Sequence, residues 1–397
     1  MYLYVFNPEN DMALACYDAN FIPPSTVRMM AEELSFLPSW WAADGDAIWV
    51  SCIDTANEWH RRYTDLLPSI NYVNRLENCC PDGVHPWGWS PMMVRRLVKS
   101  GISNDLLPDN LTLDKYRVIS SRRSAYEMLH EIFHPHSTLW NEWKGYLCGE
   151  MTCCLTEEQV MQRVNGAGRT ILKAPWSGSG KGLRFGDGCY LPPLSGWCAR
   201  VLREQGSLFV EPLYNRVYDF ALEFYSDGLG KVSYEGLSVF YTTQRGTYDG
   251  NRVAPEEENV KWLTEYIPRK LFEDLVAFYE RKLGDLYGAD YKGFLGIDMM
   301  LCRESDSAEC CLHPCVEINF RYTMGLVAVR LSRFLQEGSE GVFKIEYFKD
   351  SNHLKAYYEE KMKEKTMVVE GGKMVKGFLS LTPITSNTHY IASLEVF

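Results

Sequence analysis

The segment from Gly293 to Gly325, GFLGIDMMLCRESDSAECCLHPCVEINFRYTMG, constrains the chain more than any other. Two apolar runs, FLGIDMMLC and CLHPCVEINF, flank the polar stretch ESDSAE, which is the pattern of a β-hairpin. Each run nevertheless carries an acid in its middle, Asp298 and Glu317. Side chains alternate across a strand, so Glu317, Asn319 and Arg321 share one face. With the turn centred near Asp306, Asp298 is expected diagonally across from Glu317, roughly 7–8 Å away at the backbone. Two carboxylates and an amide oxygen in one space repel each other unless a cation joins them. Such an oxygen-only set suits Mg²⁺, which keeps waters and takes one or two carboxylates together with substrate phosphates. Arg321 can clamp a phosphate or carboxylate through two parallel hydrogen bonds. A salt-bridged hairpin without a ligand accounts for the same residues equally well.

The remaining composition narrows the class. A chain of 397 residues argues for two or three domains. Its 46% hydrophobic and 23% charged residues describe a soluble globular protein. No apolar run is long enough to span a membrane. The opening MYLYVFNPEND has neither a basic region nor a cleavage site, so no signal peptide is expected. A net charge of −11 disfavours a general nucleic-acid binder, and any anionic ligand needs a local group of Lys and Arg. The 13 cysteines are odd in number and form no CxxC, so reduced thiols and a cytoplasmic location are expected. Cys311, His313 and Cys315 alternate along a strand, a pattern that more often faces a core than binds a soft metal.

Along the chain, residues 1 to about 115 read as an α/β domain. MYLYVF is a strand opening into the polar turn NPEND, where Asn7, Glu9, Asn10 and Asp11 either cap the turn or face a substrate. Ser25–Leu37 has helical spacing with a serine cap, and AIWVSCI reads as a second strand. The tryptophans of HPWGWSP are expected in packing, followed by a helix ending at Gly101. LPDNLTLD reads as a linker. The next helix begins near Ser120 or Ser121 and places Arg122 and Arg123 in its first turn, where cations oppose the macrodipole unless an anion is present. Further on, long helices are expected near 268–286 and after Gly325, and the last strands complete the final sheet.

Residues 170–188, TILKAPWSGSGKGLRFGDG, carry the second strong signal. A strand bearing Lys173 runs into Ser177, Gly178, Ser179 and Gly180, and a second short strand follows. Glycines let backbone N–H groups curl around phosphate oxygens and serines add donors. Lys181 is followed by Gly182, so this is not a P-loop, and no helix opens at the loop as a dinucleotide fingerprint requires. A hairpin tip without function is the plain alternative. Downstream, FVEPL can form a hinge against a flat base, Asp219 can meet ribose hydroxyls, and the loop around Arg245 can close over a substrate.

The order of Lys173, the Ser/Gly loop, FVEPL, Asp219, Asp298 and EINFR resembles the ATP-grasp superfamily over residues 116–325. That resemblance implies an α/β (α+β) fold: an N-terminal parallel-sheet domain (1–115), a small lobe with the Gly-rich loop (116–210) and a large lobe with the metal site (211–397), the two lobes clasping ATP. It implies ATP and Mg²⁺ as cofactors. Lys173 would contact the α-phosphate and adenine, and Ser177, Gly178, Ser179 and Gly180 would close over the outer phosphates. The Glu211 carbonyl and Leu213 N–H would meet the base, and Asp219 the ribose. Asp298, Glu317 and Asn319 would bind the metal. Where the family has a first phosphate-binding lysine, this chain offers Arg122 or Arg123. Arg321 and Arg245 would hold the carboxylate or the transferring phosphoryl group. The implied activity is an ATP-dependent ligase that activates a small-molecule carboxylate as an acylphosphate and joins it to an amine. A small-molecule kinase on the same nucleotide site and a non-catalytic nucleotide-binding regulator are the alternatives. Neither nucleic acid nor membrane is an expected partner, and a homodimer is left open.

Overall fold

The computed structural model describes residues 1–177, 182–243, 248–303 and 310–397. Its strands fall into three sheets in chain order. The first is parallel: β1 (Tyr2–Val5), β2 (Ala47–Trp49), β3 (Asn71–Val73) and β4 (Gly83–Pro86), in the order β3-β2-β1-β4. Leu3, Val5 and Ala47 pack there against Met93 and Leu97 of the helix Pro91–Lys99. The second is antiparallel: β5 (Thr152–Cys154), β6 (Arg169–Lys173), β7 (Leu183–Asp187) and β8 (Leu208–Pro212), in the order β5-β8-β6-β7.

The third sheet comprises β9 (Asn215–Asp227), β10 (Val232–Thr242), β11 (Tyr248–Val253), β12 (Lys292–Arg303), β13 (Cys310–Asn319), β14 (Gly341–Tyr347), β15 (Val368–Glu370), β16 (Lys373–Ser380) and β17 (Tyr390–Val396). Its order is β13-β12-β9-β10-β11-β14-β17-β16-β15. A parallel α/β unit followed by a small and a large antiparallel sheet is the expected fold class.

The large sheet has two chemically opposed faces, and strict alternation makes them. Phe220, Leu222 and Phe224 of β9 join Ile297, Met299 and Leu301 of β12 and Ile318 of β13 in one core. The helix Arg269–Tyr287 covers it with Leu275, Phe278, Tyr279 and Leu283. The intervening residues, Asp219, Glu223, Asp298, Glu317 and Asn319, therefore face the other way. β13 ends the sheet, and an edge strand needs cover. The chain at 146–148 supplies it: Leu312 N–H donates to the Tyr146 carbonyl and Cys148 N–H to the Leu312 carbonyl.

The parallel unit also locks onto the large sheet. Tyr322 N–H donates to the Trp87 carbonyl over 2.8 Å, and the two rings stack. Trp40 Nε1–H donates to the Leu381 carbonyl at 2.9 Å. Thus the tryptophans of HPWGWSP do serve packing.

Two local expectations change. LPDNLTLD is not a linker throughout: a helix runs Asn110–Ile119, because Asp109 accepts from Thr112 N–H as its cap. The helix Ser25–Glu33 is preceded by Pro24 and has no side-chain cap, so Ser25 is its first residue rather than its cap.

Gly325 lies in the helix Met324–Ser332, directly over Glu223. A Cβ there would fall far inside contact distance of Glu223 Oε1 and Ser238 Oγ. Replacing a helical glycine by alanine ordinarily stabilises. Here Gly325→Ala should instead cost about 1–3 kcal/mol by overpacking, read from urea unfolding. A variant as stable as the parent would show that the helix does not sit so closely on the sheet.

Candidate functional site

Asp298 and Glu317 are direct partners on β12 and β13, not diagonal ones. The cause is a bulge. From Met300 to Asp298 β12 advances two residues, while its partners His313 and Glu317 are four apart on β13. The extra length falls around Pro314, whose missing N–H cannot serve a regular ladder. Directly paired residues bring Cβ atoms to roughly 4.5–5.5 Å, so the two carboxyl groups are neighbours. Burial, and after it the Glu317 charge, push the Asp298 carboxyl up to about 7.

Two pairs further along, Gly296 lies between Glu223 on β9 and Asn319 on β13. A Cβ at Gly296 would lie 2.6 Å from Glu223 Oε2, so only glycine leaves room for that side chain. Glu223 is fully buried and accepts from Thr323 Oγ1 (2.8 Å) and Ser238 Oγ (3.1 Å). Burial pushes its carboxyl up to about 8. Nothing in the sequence marked it except its alternation with Phe224 and Leu222.

Two arginines reach this acid group, Arg122 from a distant helix and Arg321 from just past the end of β13. Arg122, at the start of the helix Arg123–Ile132, is buried. Its Nη1 lies 3.0 Å from Glu317 Oε2, Nε donates to the Ala174 carbonyl (3.0 Å), and Nη2 donates to Ser177 Oγ (3.2 Å). Of the two candidates Arg122 and Arg123, only Arg122 meets the acids; Arg123 lies toward Glu127 on its own helix. Arg321 makes a two-pronged pair with Asp11, at 2.7 and 2.8 Å, and donates to Asn319 Oδ1 (3.0 Å) and the Tyr322 carbonyl (3.0 Å). Asn319 Nδ2 in turn donates to Asp298 Oδ2 at 3.1 Å. The Asn319 oxygen thus faces Arg321 rather than the acids.

Of these residues, Ser177, Glu317, Asn319 and Arg321 line one cleft with Asn10, Asp11, Ser120 and Trp176, and Arg122 lies behind it on Ser177 and Glu317. Residues 120–122, 176–177 and 317–321 therefore meet although far apart in sequence. Of the loop residues expected beside them, Gly178, Ser179 and Gly180 lie outside the described residues, as does Arg245.

Lys173 and Glu211 form a second polar centre. Both are buried, and the Lys173 ammonium lies 2.7 Å from the Glu211 carboxylate. Lys173 is opposite Phe209 and Ile171 opposite Glu211, so the pair is a cross-strand diagonal. Beside this centre stands His313, fully buried, its ring nitrogens without hydrogen-bond partners and its pKa lowered to about 3 by burial and then by the Lys173 charge. The Leu213 N–H, expected to meet a base, donates to the Arg169 carbonyl at 2.8 Å. This bond continues the β8–β6 register one residue past Pro212. Asp219 accepts from Thr242 Oγ1 (2.6 Å) and pairs with Arg216 (3.2 Å); burial raises its carboxyl. Among the described residues, no group of three or more His, Cys, Asp or Glu side chains is arranged to hold a metal, which includes the Cys311, His313 and Cys315 trio. Among the described residues, no helix is long and apolar enough to cross a membrane.

No protein-family model and no curated protein matches the sequence. Several solved structures are similar. N5-carboxyaminoimidazole synthetase from Staphylococcus aureus, complexed with ADP, is 10% identical over 100% of this chain and 92% of its own, with a TM-score of 0.46. Biotin carboxylase from Campylobacter jejuni, complexed with β,γ-ATP, is 11% identical over 100% and 86%, with a TM-score of 0.49. The biotin carboxylase domain of Hydrogenobacter thermophilus 2-oxoglutarate carboxylase, complexed with MgADP and bicarbonate, is 11% identical over 100% and 85%, with a TM-score of 0.48.

Glu223 holds a proton in the folded chain that the unfolded chain releases above its ordinary value of 4.5. Its contribution to stability is therefore complete below that value and is lost as the pH rises through about 8. Glu223→Gln cannot release this proton. Its melting temperature relative to the parent should climb by several degrees between pH 5 and pH 8. A difference that stays constant across that range would mean Glu223 is ionised in the folded protein.

Proposed function

We propose that this chain is an ATP-grasp enzyme that uses ATP to activate a carboxylate as an acylphosphate and joins it to an amine. The observation that carries the reading is Arg122. It ties the chain entering the Gly-rich loop (Ala174 and Ser177) to Glu317, so a cation, the start of a phosphate-type loop and an acid lie together beside one cleft. In a chain of net charge −11, a buried guanidinium there is a specific local provision for anions.

The residue roles proposed here are those the resemblance implies. Lys173 and Glu211 border the inner part of the nucleotide site, and Asp219 takes the ribose. Arg122 and Ser177 meet phosphate oxygens, with Gly178, Ser179 and Gly180 closing from the loop. The base contact assigned to Leu213 N–H is left out, since that donor serves Arg169. The donor set Asp298, Glu317 and Asn319 fits Mg²⁺: it is all oxygen once the Asn319 amide turns over, and a cation there would relieve the burial and the Glu317 repulsion that raise the Asp298 carboxyl. When bound there, the ion supplies charge neutralisation on the triphosphate oxygens. Arg321, and Arg245 from its loop, hold the reacting carboxylate. The chain's contribution is positioning and fixed charge rather than a nucleophile, so no cysteine or serine is consumed.

Glu317→Gln should lower Mg²⁺-dependent ATP turnover at least 100-fold while circular dichroism stays unchanged. Turnover within twofold of the parent would remove Glu317 from the metal set. Lys173→Ala should raise the KM for ATP about tenfold or more, and it also strands the buried Glu211, so melting is measured alongside. An unchanged KM in a folded variant would take Lys173 out of the nucleotide site. Analysis of products decides the acceptor: a ligase releases phosphate and an amide, whereas a kinase makes a phosphoester.

A further inference from the structure

The Asp11–Arg321 pair joins two halves of the molecule at the floor of the cleft and is only partly buried, with side-chain exposures of 32% and 20%. Next to it lies Asn10. Its side chain is 1% exposed, lines the same cleft, and keeps its Oδ1 without a hydrogen-bond partner. The Asn10 amide lies across the bare face of Gly88, where any Cβ would overlap it, so the orphan oxygen is fixed there by packing. A buried amide oxygen left unpaired is costly, and such groups commonly await a ligand or water.

We propose that this cleft binds an α-amino acid as a zwitterion, its carboxylate on Arg321 and its ammonium on Asp11 and Asn10 Oδ1. The assignment deepens the ligase reading and rests on it for the chemistry that follows binding. Its support is an exchange of partners. Arg321 keeps an anchor without Asp11, because its Nη1 also donates to the Tyr322 carbonyl. A ligand carboxylate can take the two-pronged edge that Asp11 now occupies. Asp11 then needs a new cation, and an ammonium on the same ligand provides one. A ligand with only a carboxylate would strand Asp11 beside Glu317 on an already acidic face. A ligand with only an amine would compete with Arg321 for Asp11. Only a molecule carrying both charges leaves every charge paired and gives Asn10 Oδ1 a donor.

The test uses the full chain and needs no turnover. The common α-amino acids are screened singly at millimolar concentration by thermal shift, and hits are titrated by calorimetry. At least one should bind, with its desamino acid and its decarboxylated amine each at least tenfold weaker. Asp11→Asn keeps a hydrogen bond to Arg321 and should weaken the amino acid at least tenfold while moving the affinity for a non-hydrolysable ATP analogue less than twofold. Asn10→Ala should weaken the amino acid but not the desamino acid, a discrimination that a merely structural role would not produce. The proposal fails if no amino acid binds, if the desamino acid binds as well, or if Asp11→Asn changes nothing. Amino-acid binding without any binding of the ATP analogue would instead sink the nucleotide reading and leave this site standing.

Discussion

The structure turns on how one sheet face carries too many carboxylates. Glu223, Asp298 and Glu317 lie on adjacent strands within two residue pairs of one another, with Asp219 four residues from Glu223 along β9. Charges brought together out of water must be neutralised or paired. Each acid is handled differently. Glu223 sits deepest, has only hydroxyl partners and is pushed toward its neutral form. Asp298 is intermediate, with the Asn319 amide as donor. Glu317, at the cleft, has a guanidinium. The gradient from neutral to ion-paired runs from the middle of the sheet to its edge, and the cleft opens where the charge is.

That gradient also dictates the architecture around it. The opposite face of β9, β12 and β13 is apolar and is covered by a long helix, so the acids cannot turn inward. Arg122 and Arg321 must come from the side, and each is anchored in a different layer. Arg122 belongs to a helix packed on β13 and grips the chain leaving β6. Arg321 follows β13 and grips Asp11 in the helix Asn10–Cys16 of the parallel unit. The acid face is therefore what the three sheets have in common, and its charge balance depends on their relative positions.

Much of this was legible in sequence because alternation is a local rule. The faces of β9, β12 and β13 can be read from DFALEF, GIDMML and EINFR alone. Pairing between distant strands cannot. The Lys173–Glu211 pair needs β8 to lie beside β6, and nothing in either strand says so. The Asp11–Arg321 pair spans almost the whole chain. The bulge that sets Asp298 directly opposite Glu317 was signalled by Pro314, but a proline marks an irregularity without fixing its size. That the Leu213 N–H is spent on the Arg169 carbonyl follows from the β8–β6 register, which FVEPL alone does not reveal. Gly296, Gly325 and Gly88 look like ordinary glycines until the Glu223 and Asn10 side chains are seen in the space they leave.

Arginine at position 122, where the resemblance leads one to expect lysine, has a geometric reason. A lysine offers one compact charge at the end of a flexible stem. The Arg122 guanidinium spreads its donors over a rigid plane and meets three groups that do not lie together: the Ala174 carbonyl, Ser177 Oγ and Glu317. It holds the base of the loop and the acid edge in register at once, a task that a single ammonium could not divide among them. Its full-time charge suits a place where burial would tempt a lysine to lose its proton. The residue that departs most from the expected pattern is thus the one whose shape best explains why the loop and the acids share a cleft.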